Sequence, residues 1–217
     1  MEVKQNNLIA QLRIQPLIVV IRLENDFFNI SNKRHLLLLK IKKLYECGIK
    51  NIEIGWDANP EWVNLISEIK NNFKELNIGA ASISSYQALD SILSLNLAYS
   101  MSPFFNKGIH LKAIKHNQLV IPGVSNIESF KEAINLRYKI IKIFPASKLG
   151  INFLNKLKEF KERDIFFIGA GGIRSRDLNR LLKNGYNALA IGRELKNQLP
   201  DEALKIWLKD FNQAISI

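Results

Sequence analysis

Cysteine is almost missing from this sequence. Cys47 stands alone, which excludes an internal disulfide and a thiolate metal cluster and suits a reducing compartment. Histidine is nearly as scarce, and His35, His110 and His116 lack the spacing of a metal site. The first residues show no signal-peptide pattern: the apolar run Pro16 to Leu23 is short and already contains Arg22. The uncharged stretch Ser91 to Asn106 carries Ser, Asn and Pro and is no membrane span. No long basic run and no nucleic-acid motif accompanies the net charge of +11. The lysines are spread along helical segments among Glu and Asp, so most of the excess reads as solvated surface with a weak field favouring an anionic substrate. These absences predict a cytoplasmic protein that needs no metal or cofactor and engages neither nucleic acid nor membrane.

What is present is alternation. Short runs rich in Ile, Val and Leu recur at Pro16–Leu23, Asn51–Gly55, Leu76–Ile83, Leu97–Ser102, Leu119–Gly123, Tyr138–Pro145, Ile165–Ala170 and Ala188–Gly192. Helical segments separate them. Ser31, Ser85, a Ser125/Glu128 box and Ser175 are expected as caps, Pro60 and Pro200-Asp201 as openings, and Gly48 and Gly185 as stops. Continuous apolar strands between helices imply a parallel sheet covered on both faces. Eight such units, with no linker among them, predict one α/β domain over residues 1–217: a small (β/α)8 barrel preceded by a helix over about 2–15. A doubly wound open sheet is the alternative, but no glycine-rich dinucleotide loop follows the first strand.

Side chains alternate between the two faces of a strand. Lys142 therefore shares a face with Ile140 and Phe144, opposite Ile141 and Ile143. In Asn51–Gly55 the apolar pair Ile52 and Ile54 should meet the helices, which turns Glu53 inward. A lysine and a glutamate are thus aimed at one barrel interior. Lys142 could instead be a strand-end residue with its head in water, or half of a structural ion pair. A buried pair, however, stabilises little, because desolvation offsets its attraction. Burial favours the neutral, nucleophilic amine. Lowering a lysine from ~10.4 to ~7–8 costs on the order of 4 kcal/mol. Arg22, at the end of the first strand, is a third charge near the same mouth. Glycine-rich turns follow the last two strands, Gly169-Ala-Gly-Gly-Ile-Arg174 and Gly192-Arg193, where backbone N–H groups can cradle a phosphate.

Taken in order, these segments resemble the 2-keto-3-deoxy-6-phosphogluconate aldolase / 4-hydroxy-2-oxoglutarate aldolase family from about Pro16 to Asp210. The similar stretches are Gly48-Ile-Lys-Asn-Ile-Glu53, Ile78-Gly-Ala-Ala-Ser-Ile83, Ser102-Pro103, Ile121-Pro-Gly-Val-Ser125, Lys142-Ile-Phe-Pro-Ala146 and Gly171-Gly-Ile173. The resemblance implies a class I aldolase, a homotrimer, that cleaves a 2-oxo acid, phosphorylated in one branch of the family. It implies Lys142 as the Schiff-base lysine and Glu53 as the proton shuttle. It places substrate against Arg22, Ser82, Pro103, Phe144, Gly171, Gly172, Gly192 and Arg193. The chain also departs from the family pattern. Asp57 stands where an arginine holds the pyruvate carboxylate, Ser82 and Ala170 stand where threonines do, and Glu194 replaces a phosphate-holding serine. The alternative these departures suggest is a homologue that binds a small anion without efficient aldol turnover.

Overall fold

β-branched residues pack well on a pleated surface buried on both sides, and here they fill the strands. A computed structural model of the chain describes residues 1–160, 164–192, 200 and 202–215. Helix α1 (Glu2–Ile14) precedes strand β1 (Leu17–Ile21). Next come α2 (Ser31–Glu46), β2 (Asn51–Gly55), α3 (Glu61–Asn72), β3 (Asn77–Ala81), α4 (Tyr86–Leu93), β4 (Ser100–Met101) and α5 (Lys107–Lys115). The fifth strand is in two pieces, β5 (Val120–Ile121) and β6 (Gly123–Val124). The chain continues through α6 (Ile127–Asn135), β7 (Ile140–Ile143), α7 (Ala146–Lys158), β8 (Phe166–Ala170), α8 (Leu178–Lys183), β9 (Ala188–Ile191) and α9 (Glu202–Ile215).

All the strand pairings are parallel, in the order β5-β4-β3-β2-β1-β9-β8-β7-β6. The two outermost pieces, β5 and β6, flank Pro122 and are halves of one strand, so the sheet closes into the expected (β/α)8 barrel. Proline has no N–H to give a ladder, which accounts for the break. The Pro122 carbonyl is still used, accepting the Lys142 N–H at 2.9 Å. Ile52, Ile54, Ile141 and Ile143 are fully buried.

The end of the barrel where the strands begin is closed by α1. Leu8 and Leu12 on this helix are buried. Gln5 Oε1 accepts the Lys139 N–H at 2.7 Å, just ahead of β7. Beyond the helix, Gln15 Oε1 accepts the Lys50 N–H at 2.8 Å, just ahead of β2. No helix among the described residues is long and apolar enough to cross a membrane.

Several helix starts differ from expectation. Ser85 does cap α4, accepting the Ala88 N–H at 3.1 Å. Ser31 instead has helical geometry itself, which shifts the cap position to Ile30. The expected Ser125/Glu128 box is displaced by one residue: Asn126, an equally good cap, accepts the Ser129 N–H at 2.8 Å. Ser175 begins a 3-10 turn over Ser175–Asp177 ahead of α8. Helix α7 starts at Ala146, directly after Pro145, and Gly150 interrupts it with φ 68°.

Gly79 leaves room for one ring of the core. A Cβ there would lie 2.6 Å from the Tyr99 ring, and Tyr99 is fully buried. Gly79→Ala is expected to lose about 1–3 kcal/mol of stability in urea unfolding. Adding Tyr99→Leu should recover part of that loss, and independent, additive losses would count against this packing.

Candidate active site

The register of the barrel decides which side chains meet. Glu53 pairs with Val20 on one side and Gly79 on the other. Lys142 pairs with Gly123 and Ile168. With β5 and β6 taken as one strand, β2 and β7 are four strands apart in either direction round the ring. The carboxylate and the amine therefore approach from opposite walls. Both line one cavity at the C-terminal mouth, and both are buried, Glu53 at 2% exposure and Lys142 at 6%.

The two do not form a contact ion pair. Glu53 Oε1 is buried with no hydrogen-bond partner among the described residues. Lys142 Nζ lies 5.3 Å from the centre of the Phe144 ring, a cation–π position. Burial is the main cause that pushes the Glu53 carboxyl up, to about 7, against the attraction of Lys142 and Arg22. Burial likewise pulls the Lys142 amine down, to about 8, helped by Arg22 and opposed by Glu53. Burial thus favours the neutral form of the Lys142 amine, and Glu53 opposes that shift. The uncharged fraction is raised over that of an ordinary lysine.

The rest of the lining assembles around this pair. Val20 and Arg22 share a face of β1 and its continuation, and both line the cavity. Arg22 Nη1 donates to Ser82 Oγ at 3.3 Å. Ser82 holds a left-handed backbone, φ 67°, just beyond β3, a conformation that costs a non-glycine residue of order 1 kcal/mol or more. Pro103, Phe144, Gly171, Gly172 and Gly192 also line the cavity. Gly171 has φ +90°, and a Cβ on it would sit 2.8 Å from the Phe144 ring. The turn thus stacks on the ring that faces Lys142. Gly172, φ +73°, abuts Ser147 Oγ at the start of α7. Arg193 and Glu194 lie outside the described residues.

Asp57 is not in the cavity lining. Its Oδ1 accepts the Asn59 N–H at 2.8 Å in the turn before α3. Ala170 does line the cavity. Sequence reasoning missed Met101, Ala81 and Ala190 in the wall, although each lies on the inward face of its strand. It also missed Tyr99, two residues before Met101, whose buried hydroxyl has no hydrogen-bond partner among the described residues. Among the described residues no group of three or more His, Cys, Asp or Glu is placed to hold a metal. The arrangement offers a nucleophilic amine, a proton-holding carboxyl opposite it and a guanidinium at the mouth, which suits carbonyl capture in an anionic substrate.

Comparison with known proteins agrees. A family model described as KDPG and KHG aldolase matches residues 8–203. The 2-dehydro-3-deoxy-6-phosphogalactonate aldolase of Escherichia coli (strain K12) is 22% identical over 159 residues, covering 73% of this chain and 77% of the relative. A KDPG aldolase from Legionella pneumophila, with pyruvate captured as a covalent carbinolamine intermediate, superposes with TM-score 0.73 at 21% identity over 95% of this chain and 97% of that one. The 2-keto-3-deoxy-6-phosphogluconate aldolase of Zymomonas mobilis ZM4 with 3-phosphoglycerate gives TM-score 0.76 at 18% identity, covering 94% of each.

The buried pair links stability to pH. Glu53 binds its proton more tightly folded than unfolded, so its contribution falls as pH rises from 4.5 to about 7. Lys142 binds its proton less tightly folded, so its contribution rises again from about 8 to 10.5. Glu53→Leu with Lys142→Met should remove the minimum between these windows and raise stability near neutral pH by about 1–4 kcal/mol. Urea unfolding across the two windows measures this. A double variant that keeps the wild-type pH dependence would assign it to other groups.

Proposed function

The chain belongs to the KDPG and KHG aldolase family, whose members are carbon–carbon lyases, and from that premise we propose that it is a class I aldolase acting through Lys142 and Glu53 on a 2-oxo acid. The observation that carries the reading is the opposed, non-bonded pair at the cavity floor, with Lys142 drawn down to about 8 and Glu53 raised to about 7.

In this reading the neutral Lys142 amine attacks the 2-oxo carbon and the carbonyl oxygen takes a proton, giving a carbinolamine. Glu53, raised enough to hold a proton, delivers it to the departing hydroxyl through a water, and an iminium forms. The C3–C4 bond then breaks as the 4-hydroxyl proton passes to Glu53. The bonding electrons enter the iminium, leaving an enamine on Lys142 and releasing an aldehyde. Protonation of the enamine at C3 and hydrolysis free pyruvate. The iminium is itself the electron sink. Arg22, steadied by Ser82, is assigned to the substrate carboxylate in place of the arginine that Asp57 replaces. The turns at Gly171-Gly172 and Gly192-Arg193 are assigned to the far, anionic end of the substrate, 2-keto-3-deoxy-6-phosphogluconate or 4-hydroxy-2-oxoglutarate. The family resemblance further carries a homotrimer in the cytoplasm, and exposed Tyr86, Phe104 and Leu111 are apolar surface that an assembly could cover.

A second reading, anion binding without efficient turnover, is favoured by Asp57, which brings no positive charge to the cavity. Retro-aldol activity lost in Lys142→Ala removes that reading.

Borohydride with pyruvate should fix a three-carbon adduct on Lys142, read by peptide mass spectrometry. Lys142→Ala should show none, and an unlabelled wild-type Lys142 would sink the aldolase reading. Arg22→Ala should raise KM for the 2-oxo acid about 10- to 100-fold, the worth of one charge-assisted hydrogen bond. An unchanged KM would return the carboxylate to another group.

A further inference from the structure

One buried polar chain lies outside the cavity. His110, on α5, is fully buried. Its ring stacks on Phe105, with centres 5.0 Å apart and planes 5° from parallel. Nδ1 lies 2.9 Å from the Tyr138 hydroxyl, and Nε2 lies 3.2 Å from Ser102 Oγ. Burial pulls the ring down to about 4, so it is neutral, one nitrogen donating and the other accepting.

Ser102 stands where the fifth strand breaks. Its Oγ accepts the Gly123 N–H at 3.2 Å and lies 3.3 Å from the Ile121 carbonyl. Its own N–H donates to that carbonyl at 3.0 Å. One hydroxyl therefore bridges both halves of the strand across Pro122, doing for Gly123 what a ladder partner does elsewhere. Gly123 is the in-register neighbour of Lys142, and the Pro122 carbonyl holds the Lys142 N–H at 2.9 Å. Gly123 also packs closely against the chain just beyond β4, where a Cβ on it would meet the Ser102 and Pro103 carbonyls. The route from imidazole to amine is short: His110 orients the Ser102 hydroxyl, the hydroxyl fixes the break at Pro122, and the break sets the backbone of Lys142.

We propose that His110 is a positioning residue for Lys142, acting through Ser102 and the broken fifth strand. The proposal rests on the aldolase reading above. Hydrogen-bond-directed orientation of a nucleophile's support is worth most in the chemical step, where a displacement of about 1 Å can cost on the order of 100-fold. His110 touches neither cavity nor substrate, so binding should be spared.

The test is a double-mutant cycle of His110→Leu and Ser102→Ala in the full chain. It reads retro-aldol kcat and KM, the rate of borohydride trapping of pyruvate on Lys142, and thermal unfolding. Each single variant should lower kcat and the trapping rate about 10-fold, with KM within about twofold. The double variant should be no worse than Ser102→Ala alone, because the two act in series. His110→Gln, which can still bond the hydroxyl, should recover most of the loss. If His110→Leu does not fold, Tyr138→Phe, which removes the hydroxyl on His110 Nδ1, carries the cycle against Ser102→Ala, with the same non-additivity expected. Multiplying losses, or a lowered unfolding temperature with unchanged kcat and trapping, would overturn the proposal. Failure of the wild type to trap pyruvate would overturn the aldolase reading and this inference with it. A trapping wild type with unaffected variants overturns this inference alone.

Discussion

The structure depends on two opposite charges held apart inside a place that neither would choose. Water is a far better host for a carboxylate or an ammonium than a ring of Ile, Val and Ala side chains. A direct bond between Glu53 and Lys142 would ease that cost and bury the amine's reactivity with it. In the structure the two rise from opposite walls and make no such bond. With β5 and β6 taken as one, three strands lie between β2 and β7 in both directions, so the pair interacts through space across the cavity floor. Each charge moderates the other, while burial pushes both groups toward their neutral forms.

Much of this was legible in the sequence because a strand's period of two is unforgiving. The apolar pair Ile52 and Ile54 turns Glu53 inward, and Ile141 and Ile143 do the same for Lys142. Glycine pairs after the last strands marked the turns at the mouth. Other features were hidden because they depend on residues distant along the chain. The break at Pro122 leaves two-residue pieces, too short to carry a pattern. His110 read only as a histidine without metal spacing, since its partners Ser102 and Tyr138 are 8 and 28 residues away. The Asn126 cap lost to Ser125 in the reading because both residues cap well. Tyr99 gave no sign that Gly79 had been kept small to seat its ring.

The departures from the family pattern also take on physical meaning. Asp57 would oppose an anionic substrate from the cavity wall, but it is turned into its own loop and bonds Asn59. The guanidinium of Arg22 reaches the cavity from another strand and is steadied by Ser82, whose backbone conformation is uncomfortable for a residue with a side chain. Strain of that kind persists where the surrounding structure over-determines it. A hydroxyl aimed at the mouth arginine is such a case.

Helix α1 has a consequence beyond stability. It lies across the end where the strands begin, and the cavity that holds Glu53 and Lys142 is a cup that opens at the other end. A molecule joined to Lys142 at the bottom of that cup blocks nothing above it, whereas a fragment nearer the rim stands in the only exit. Departure is therefore sequential: under the proposed chemistry the aldehyde half must clear the doorway before the tethered three-carbon half can follow, and in the reverse direction the three-carbon half must enter first.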